Sequence, residues 1–188
     1  MNNTKGAIFD AAMKIFSDCG YDGATMDDIA LDAGVAKGTL YYHFKSKEEI
    51  FKFVISEGMQ RIEEEIEAAT VKVHDPIDKL KVLCNVQISL VYEKSNFFKV
   101  VMSQLWGKEI RQSELRKSIK KYIHIIETFI DGAKGNGLIR EGSTSFMAYT
   151  FFGSLCSAAI YELVNTDEKS KDEAVENLVQ CIFNGILA

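Results

Sequence analysis

The chain has 188 residues, 47% of them apolar and 26% charged, with a formal net charge of −5 and a single proline. That length is enough to bury about 70% of the unfolded surface in one compact unit or two small ones. Long 3.6-residue periodicities, with neither alternating runs nor clusters of turn residues, predict an all-α fold and exclude a sheet protein.

Residues 4 to 19 come first, a helix with Ile8, Ala11, Ala12, Ile15 and Phe16 along one side and Cys19-Gly20-Tyr21 ending it. Its expected task is to brace the next two helices from behind. Residues 25 to 47 read as two short helices joined by a tight turn. Thr25 caps the first helix, with Asp28 in the reciprocal capping-box position, and Gly34 stops it by taking a positive φ without steric cost. The second helix starts at Ala36 or Lys37. Leu40 and Phe44, four apart, point inward and leave Lys37, Gly38, Thr39, Tyr41, Tyr42 and His43 on the exposed side and its edges. Lysine, tyrosine and threonine reach phosphate oxygens, and glycine lets the backbone come close, so this surface suits DNA better than solubility alone. In a helix-turn-helix the second helix lies in the major groove while the first crosses the backbone. The acidic net charge does not oppose this. Ala33 to Lys47 holds three lysines and no acid, and salt screens acids farther than about 8 Å away.

The run Thr25 to Glu48 resembles the DNA-binding signature of the TetR family of bacterial transcriptional regulators. The residues that carry the likeness are Ile29-Ala30, Ala33-Gly34-Val35, Lys37-Gly38-Thr39-Leu40-Tyr41 and His43-Phe44-Lys45-Ser46-Lys47-Glu48. It is gapless and covers roughly the first 60 residues. The resemblance implies an all-helical homodimer with a three-helix DNA-binding domain, residues 1–60, and a C-terminal ligand-binding and dimerisation domain, residues 61–188, about nine helices in all. Carried over by position, the DNA-contacting set is Thr25, Val35, Ala36, Lys37, Gly38, Thr39, Tyr41, Tyr42, His43 and Lys47. Ala36 departs from the serine many members carry there, which removes a hydroxyl contact and a cap.

Ser46 with Glu49 forms a second capping box for a long helix running to about Thr70, with Ile50, Phe51, Val54, Ile55, Met59, Ile62 and Ile66 inward. No linker separates it from the DNA-binding segment, so it can act as a rod that turns a small shift into a rotation. Asp75-Pro76 starts the next helix, to about Lys94. Ser95-Asn96 interrupts, and Phe97, Phe98, Val101, Met102, Leu105 and Trp106 make a short aromatic helix. A mixed helix spans about Glu109 to Lys134, and Gly132, Gly135 and Gly137 break the chain. The aromatic and methionine content reads equally as plain core or as the wall of a ligand cavity, with Gln87, Gln104, Tyr122 or His124 as polar groups. The resemblance favours the cavity, and the candidate ligand set is Met59, Gln87, Phe97, Phe98, Met102, Trp106, Tyr122 and Phe129.

Two apolar helices close the chain, about Ser143 to Asn165 and Glu168 to Leu187. One carries Phe146, Tyr149, Phe152, Gly153, Cys156, Ala159, Ile160 and Leu163, the other Val175, Leu178, Val179, Ile182, Phe183 and Ile186. Their apolar arcs exceed one inward stripe, so they are expected to pair with a second copy as a four-helix bundle, residues 143–187 forming the homodimer interface. The alternative is that both faces are buried within one subunit.

The function expected is a repressor that binds a palindromic DNA operator as a homodimer and is released by an unidentified small-molecule effector. The alternative is a helical ligand-sequestering or dimerisation module without operator-specific binding. An enzyme is not expected: His43, His74 and His124 are isolated, and neither an HxxxH pair, a phosphate-binding glycine loop nor a GxSxG elbow occurs. No cofactor or metal is expected either. Cys19, Cys84, Cys156 and Cys181 form no CxxC pair and read as reduced thiols, with a thiol sensor at Cys156 or Cys181 resting only on their presence. No apolar run is expected to reach the length of a membrane span, and the opening residues lack the apolar core of a signal peptide, so a cytoplasmic location is expected.

Overall fold

The computed structural model describes residues 3–106, 108–165 and 170–185. It is all-α, with eight helices and no strand among the described residues: α1 (Asn3–Gly23), α2 (Met26–Asp32), α3 (Lys37–His43), α4 (Lys47–Thr70), α5 (Pro76–Gln104), α6 (Ile110–Gly135), α7 (Thr144–Val164) and α8 (Lys171–Asn184). The expected starting residue Glu168 of the last helix, and its Ile186 and Leu187, lie outside the described residues. The count falls from nine to eight because Ser95-Asn96 does not end a helix. The break is a single non-helical residue, Lys94 (φ −137°, ψ 41°), and α5 continues beyond it. Gly20 does interrupt α1, at φ 70°, and one further turn follows.

The helix ends follow local chemistry. The Asp75 carboxylate accepts from the amides of Ile77 and Asp78 at 2.7 and 3.0 Å, capping α5. Ser143 and Ser170 do the same for α7 and α8. Such caps are each worth about 1 kcal/mol.

The chain divides into two compact units, residues 1–61 with 96–118 and residues 62–95 with 119–188. In the first, Ile8, Ala12, Ile29, Leu40, Ile50, Phe51 and Val54 are fully buried. Ile15, expected in this core, is only half-buried. Phe9, which lay outside the expected stripe, is buried instead, with the Arg61 guanidinium 4.3 Å from its ring centre and the Phe53 ring edge-on. In the second unit the core includes Ile66, Leu83, Ile88, Ile126, Leu155 and Ala159.

α7 departs from expectation in its hydropathy. By length and composition it could cross a membrane, with mean hydropathy 1.3 over its most apolar window, so the reading that no apolar run reaches a span was too strict. One such helix is weak grounds for a membrane protein. Its wide apolar arc resolves into two faces: Ala148, Phe151, Leu155 and Ala159 are buried within the chain, while Phe146, Tyr149, Gly153, Ile160 and Val164 are exposed. Spacings of three and four allow either face to pass as the core, and the smaller side chains took the inner one at two of four positions.

Candidate nucleic-acid interface and effector region

The helix-turn-helix is built by two local devices. Thr25 sits in extended backbone, and its hydroxyl oxygen accepts from the Asp28 amide at 3.1 Å. The same hydroxyl donates to the Asp28 carboxylate at 2.6 Å, so Asp28, too short to reach the Thr25 amide, closes the cap on the side chain instead. At the other end of α2, Gly34 (φ 65°) donates to the Leu31 carbonyl at 3.1 Å and Val35 to the Ala30 carbonyl at 3.0 Å. This paired closure satisfies two open carbonyls and turns the chain into α3. α3 starts at Ala36 without a side-chain cap.

Leu40 is fully buried and Phe44 nearly so, which fixes the roll of α3. Lys37, Gly38, Tyr41 and Tyr42 are exposed on it, Tyr42 at 78%, with Thr25 and Ala36 exposed beside them. Val35, Thr39 and His43 are half-buried at the edges. Lys37 reaches back to Asp27 at 2.6 Å across an exposed pair, and the carboxylate raises its pKa, first through the hydrogen bond and then through its charge. Solvent screening leaves an exposed ion pair of this kind little weight in stability.

Lys47 stands apart from the other nine. Its ammonium donates to the backbone carbonyls of Asp22 and Ala24 at 3.2 and 2.8 Å and lies 4.6 Å from the Tyr21 ring centre. It therefore clamps the chain between α1 and α2. The Glu49 carboxylate accepts from the Lys45 amide at 2.7 Å and the Ser46 hydroxyl from the Glu49 amide at 3.2 Å, which seats α4. Residues 96–118 fasten to the same corner. The Arg111 guanidinium lies 3.9 Å from the Tyr21 ring centre, 4.0 Å from the Asp22 carboxylate, and donates to the Gln104 side chain at 3.2 Å. Nothing in the sequence of this mixed helix had marked Arg111 as a packing residue. Gln104, a candidate polar ligand group, is thus engaged by Arg111.

The candidate effector residues divide between the units. Met59, Phe97, Phe98, Met102 and Trp106 belong to the first, and Gln87, Tyr122 and Phe129 to the second. Met59 and Phe97 are buried, Phe98 and Met102 half-buried, and Trp106 is 82% exposed. Phe97 packs on Gly58, where the lack of a side chain admits its ring. In the second unit, Gln87 and Phe129 are half-buried, the Lys79 ammonium lying 5.4 Å from the Phe129 ring centre. Tyr122 is buried with its ring edge-on to Phe152 at 5.8 Å. His124 is exposed, 3.2 Å from the Glu127 carboxylate. A groove of about 560 Å³ in this unit is lined by Leu80, Ile130, Phe146, Met147, Phe151 and Phe183 among others, and by none of the eight candidates. That groove had no separate cue in the residue pattern, because its walls come from the same apolar helices that were assigned to dimerisation.

Among the described residues no group of three or more His, Cys, Asp or Glu side chains is placed to hold a metal ion. Burial pushes the Cys84 thiol up to about 12 and the Cys156 thiol to about 11.

With this geometry in hand, three comparisons identify the chain's relatives. Residues 8–54 match the profile of bacterial regulatory proteins of the tetR family. The "Fatty acid metabolism regulator protein" of Bacillus subtilis (strain 168) is 32% identical over 191 residues, covering 95% of this chain and 93% of its own length. The structure of a "Clostridium perfringens putative fatty acid metabolism regulator" is 47% identical, with a TM-score of 0.90 over 97% of this chain and 99% of that one. The fold also superposes on Bacillus subtilis FadR in complex with stearoyl-CoA, at TM-score 0.86 and 23% identity over 97% of this chain and 99% of that one. The chain belongs to the TetR family of bacterial transcriptional regulators and is a DNA-binding regulator of transcription.

Proposed function

We propose that the protein is a homodimeric repressor controlled by a small molecule bound in its C-terminal region, that this molecule is a fatty acyl group carried as a coenzyme A thioester, and that its binding releases the repressor from a palindromic operator governing fatty acid metabolism. The observation that carries this reading is likeness along nearly the whole chain, at 32% and 47% identity, to two proteins named as fatty acid metabolism regulators. A match confined to residues 8–54 would have supported DNA binding alone. The DNA-contacting set in this reading is Thr25, Val35, Ala36, Lys37, Gly38, Thr39, Tyr41, Tyr42, His43 and Lys47, with residues 1–60 as the DNA-binding domain and 61–188 as the effector and dimerisation domain. The exposure of Lys37, Gly38 and Tyr42 around the fully buried Leu40 supports it. A cytoplasmic location and the lack of any catalytic activity belong to the same proposal, since the relatives are transcriptional regulators.

Two-fold symmetry would set the recognition helices about 34 Å apart, one turn of DNA or a multiple of it. Coupling of about 1–3 kcal/mol between effector and operator gives roughly 5–150-fold control. Fluorescence anisotropy on DNA from upstream of the protein's own gene tests both halves. Selective, salt-sensitive binding that weakens at least fivefold with stearoyl-CoA is expected. Tight operator binding indifferent to every acyl-CoA would discard the acyl reading and leave the repressor intact.

A further inference from the structure

Tyr122 carries the one buried side-chain oxygen or nitrogen, among the described residues, without a hydrogen-bond partner. The residue is 4% exposed, midway along α6, with its ring edge-on to Phe152, and the Cys156 and Cys84 thiols are the titratable groups whose charge acts on it. A thiol is a poor acceptor and a phenylalanine ring a poorer one. Leaving such a donor unmatched costs about 1–3 kcal/mol, and phenylalanine would fill the same volume without that cost. Burial, the largest influence on the phenol, raises its pKa and keeps it protonated, so it remains a neutral donor. A stearoyl chain is saturated, and its acyl group offers a single oxygen able to accept in an apolar interior, the thioester carbonyl.

We propose that Tyr122 is the polar anchor of the effector site, its hydroxyl donating to the acyl carbonyl oxygen of the bound thioester while the apolar side chains around it receive the alkyl chain. This rests on the acyl-CoA reading and adds the residue that distinguishes a thioester from a bare hydrocarbon tail. Tyr122 positions the ligand and takes no part in any reaction.

The test pairs Tyr122→Phe with a ligand from which the carbonyl is removed. Calorimetric titration of parent and variant with stearoyl-CoA and with its thioether analogue S-octadecyl-CoA gives four affinities. Stearoyl-CoA is expected to bind the variant about tenfold more weakly than the parent. S-octadecyl-CoA is expected to bind both alike, at the weaker level. Ligand-free Tm and operator affinity of the variant should equal or exceed those of the parent. Unchanged stearoyl-CoA affinity in the variant overturns the proposal, as does an equal loss for both ligands, which would reduce Tyr122 to part of the wall. A variant that binds stearoyl-CoA normally but melts lower without ligand assigns the hydroxyl to an internal water and also overturns it. A parent that binds no acyl-CoA refutes the functional reading itself, and that result appears before any substitution is made.

Discussion

At the scale of single residues, two lysines nominated for the same task have different ones. Lys37 is exposed and paired with Asp27, whereas Lys47 holds two backbone carbonyls at the α1–α2 corner. Lys37→Ala should therefore weaken operator binding uniformly across sequences and lower the salt slope by about 1, with Tm unchanged. Tyr42→Ala, on the most exposed ring of α3, should cost about tenfold in anisotropy titrations without loss of Tm. Affinities equal to the parent's in both would remove α3 from the interface. Lys47→Ala, by contrast, should lower Tm as well as affinity. The thiols give a pH prediction with a definite sign. Cys84 is raised from 9.0 to about 12 and Cys156 from 9.0 to about 11. A pKa raised on folding contributes stability that is present below the unfolded value and lost as pH climbs through the folded one. Stability should thus fall between about pH 9 and 12. At pH 8 iodoacetamide should label exposed Cys19 well before buried Cys84 or half-buried Cys156, as read by mass spectrometry. Labelling of Cys156 at a rate equal to Cys19 would revive the thiol-sensor reading.

At the scale of elements, what could be read in the sequence was whatever depends on neighbours in the chain. Thr25, Gly34, Ser46, Asp75 and Ser143 announce helix ends through hydrogen bonds spanning two to five residues, and all five act there. Leu40 and Phe44 gave the roll of α3 because an i, i+4 pair has only one buried side. Distant partners were opaque. Neither the engagement of Arg111 by Tyr21 nor the seat of Phe97 on Gly58 leaves a periodic trace, since each joins residues about 40 to 90 positions apart. The Gly58–Phe97 contact makes an element-scale prediction. A methyl group at residue 58 would overlap the Phe97 ring, so Gly58→Ala should lower stability by about 1–3 kcal/mol despite alanine's better helix propensity. A denaturation midpoint above the parent's would show that α5 yields there freely. The two faces of α7 were half legible: its excess of apolar residues was plain, but periodicity could not say which face turns inward.

At the scale of the whole molecule, the exposed face of α7 is the surface the proposed dimer would use. Phe146 is 73% exposed and Ile160 47%, on a helix whose most apolar stretch is only 22% buried within the chain. A face this apolar, alternating with Gly153 and Ser157, fits the isologous contact of a two-fold dimer. Phe146→Asp with Ile160→Asp should yield a monomer by analytical ultracentrifugation and reduce operator affinity more than tenfold, because one recognition helix then binds without its twin. A dimer that survives both would place the interface elsewhere. Residues 96–118, meanwhile, belong to the same compact unit as the helix-turn-helix, and α4, α5 and α6 each contribute to both units. A graft that exchanged only the first 60 residues between two relatives would keep the reading head but lose the partners of Tyr21, Asp22 and Gly58. Swapping operator specificity between such proteins is therefore an operation on two separate stretches of gene, and the inheritable module of this regulator is discontinuous.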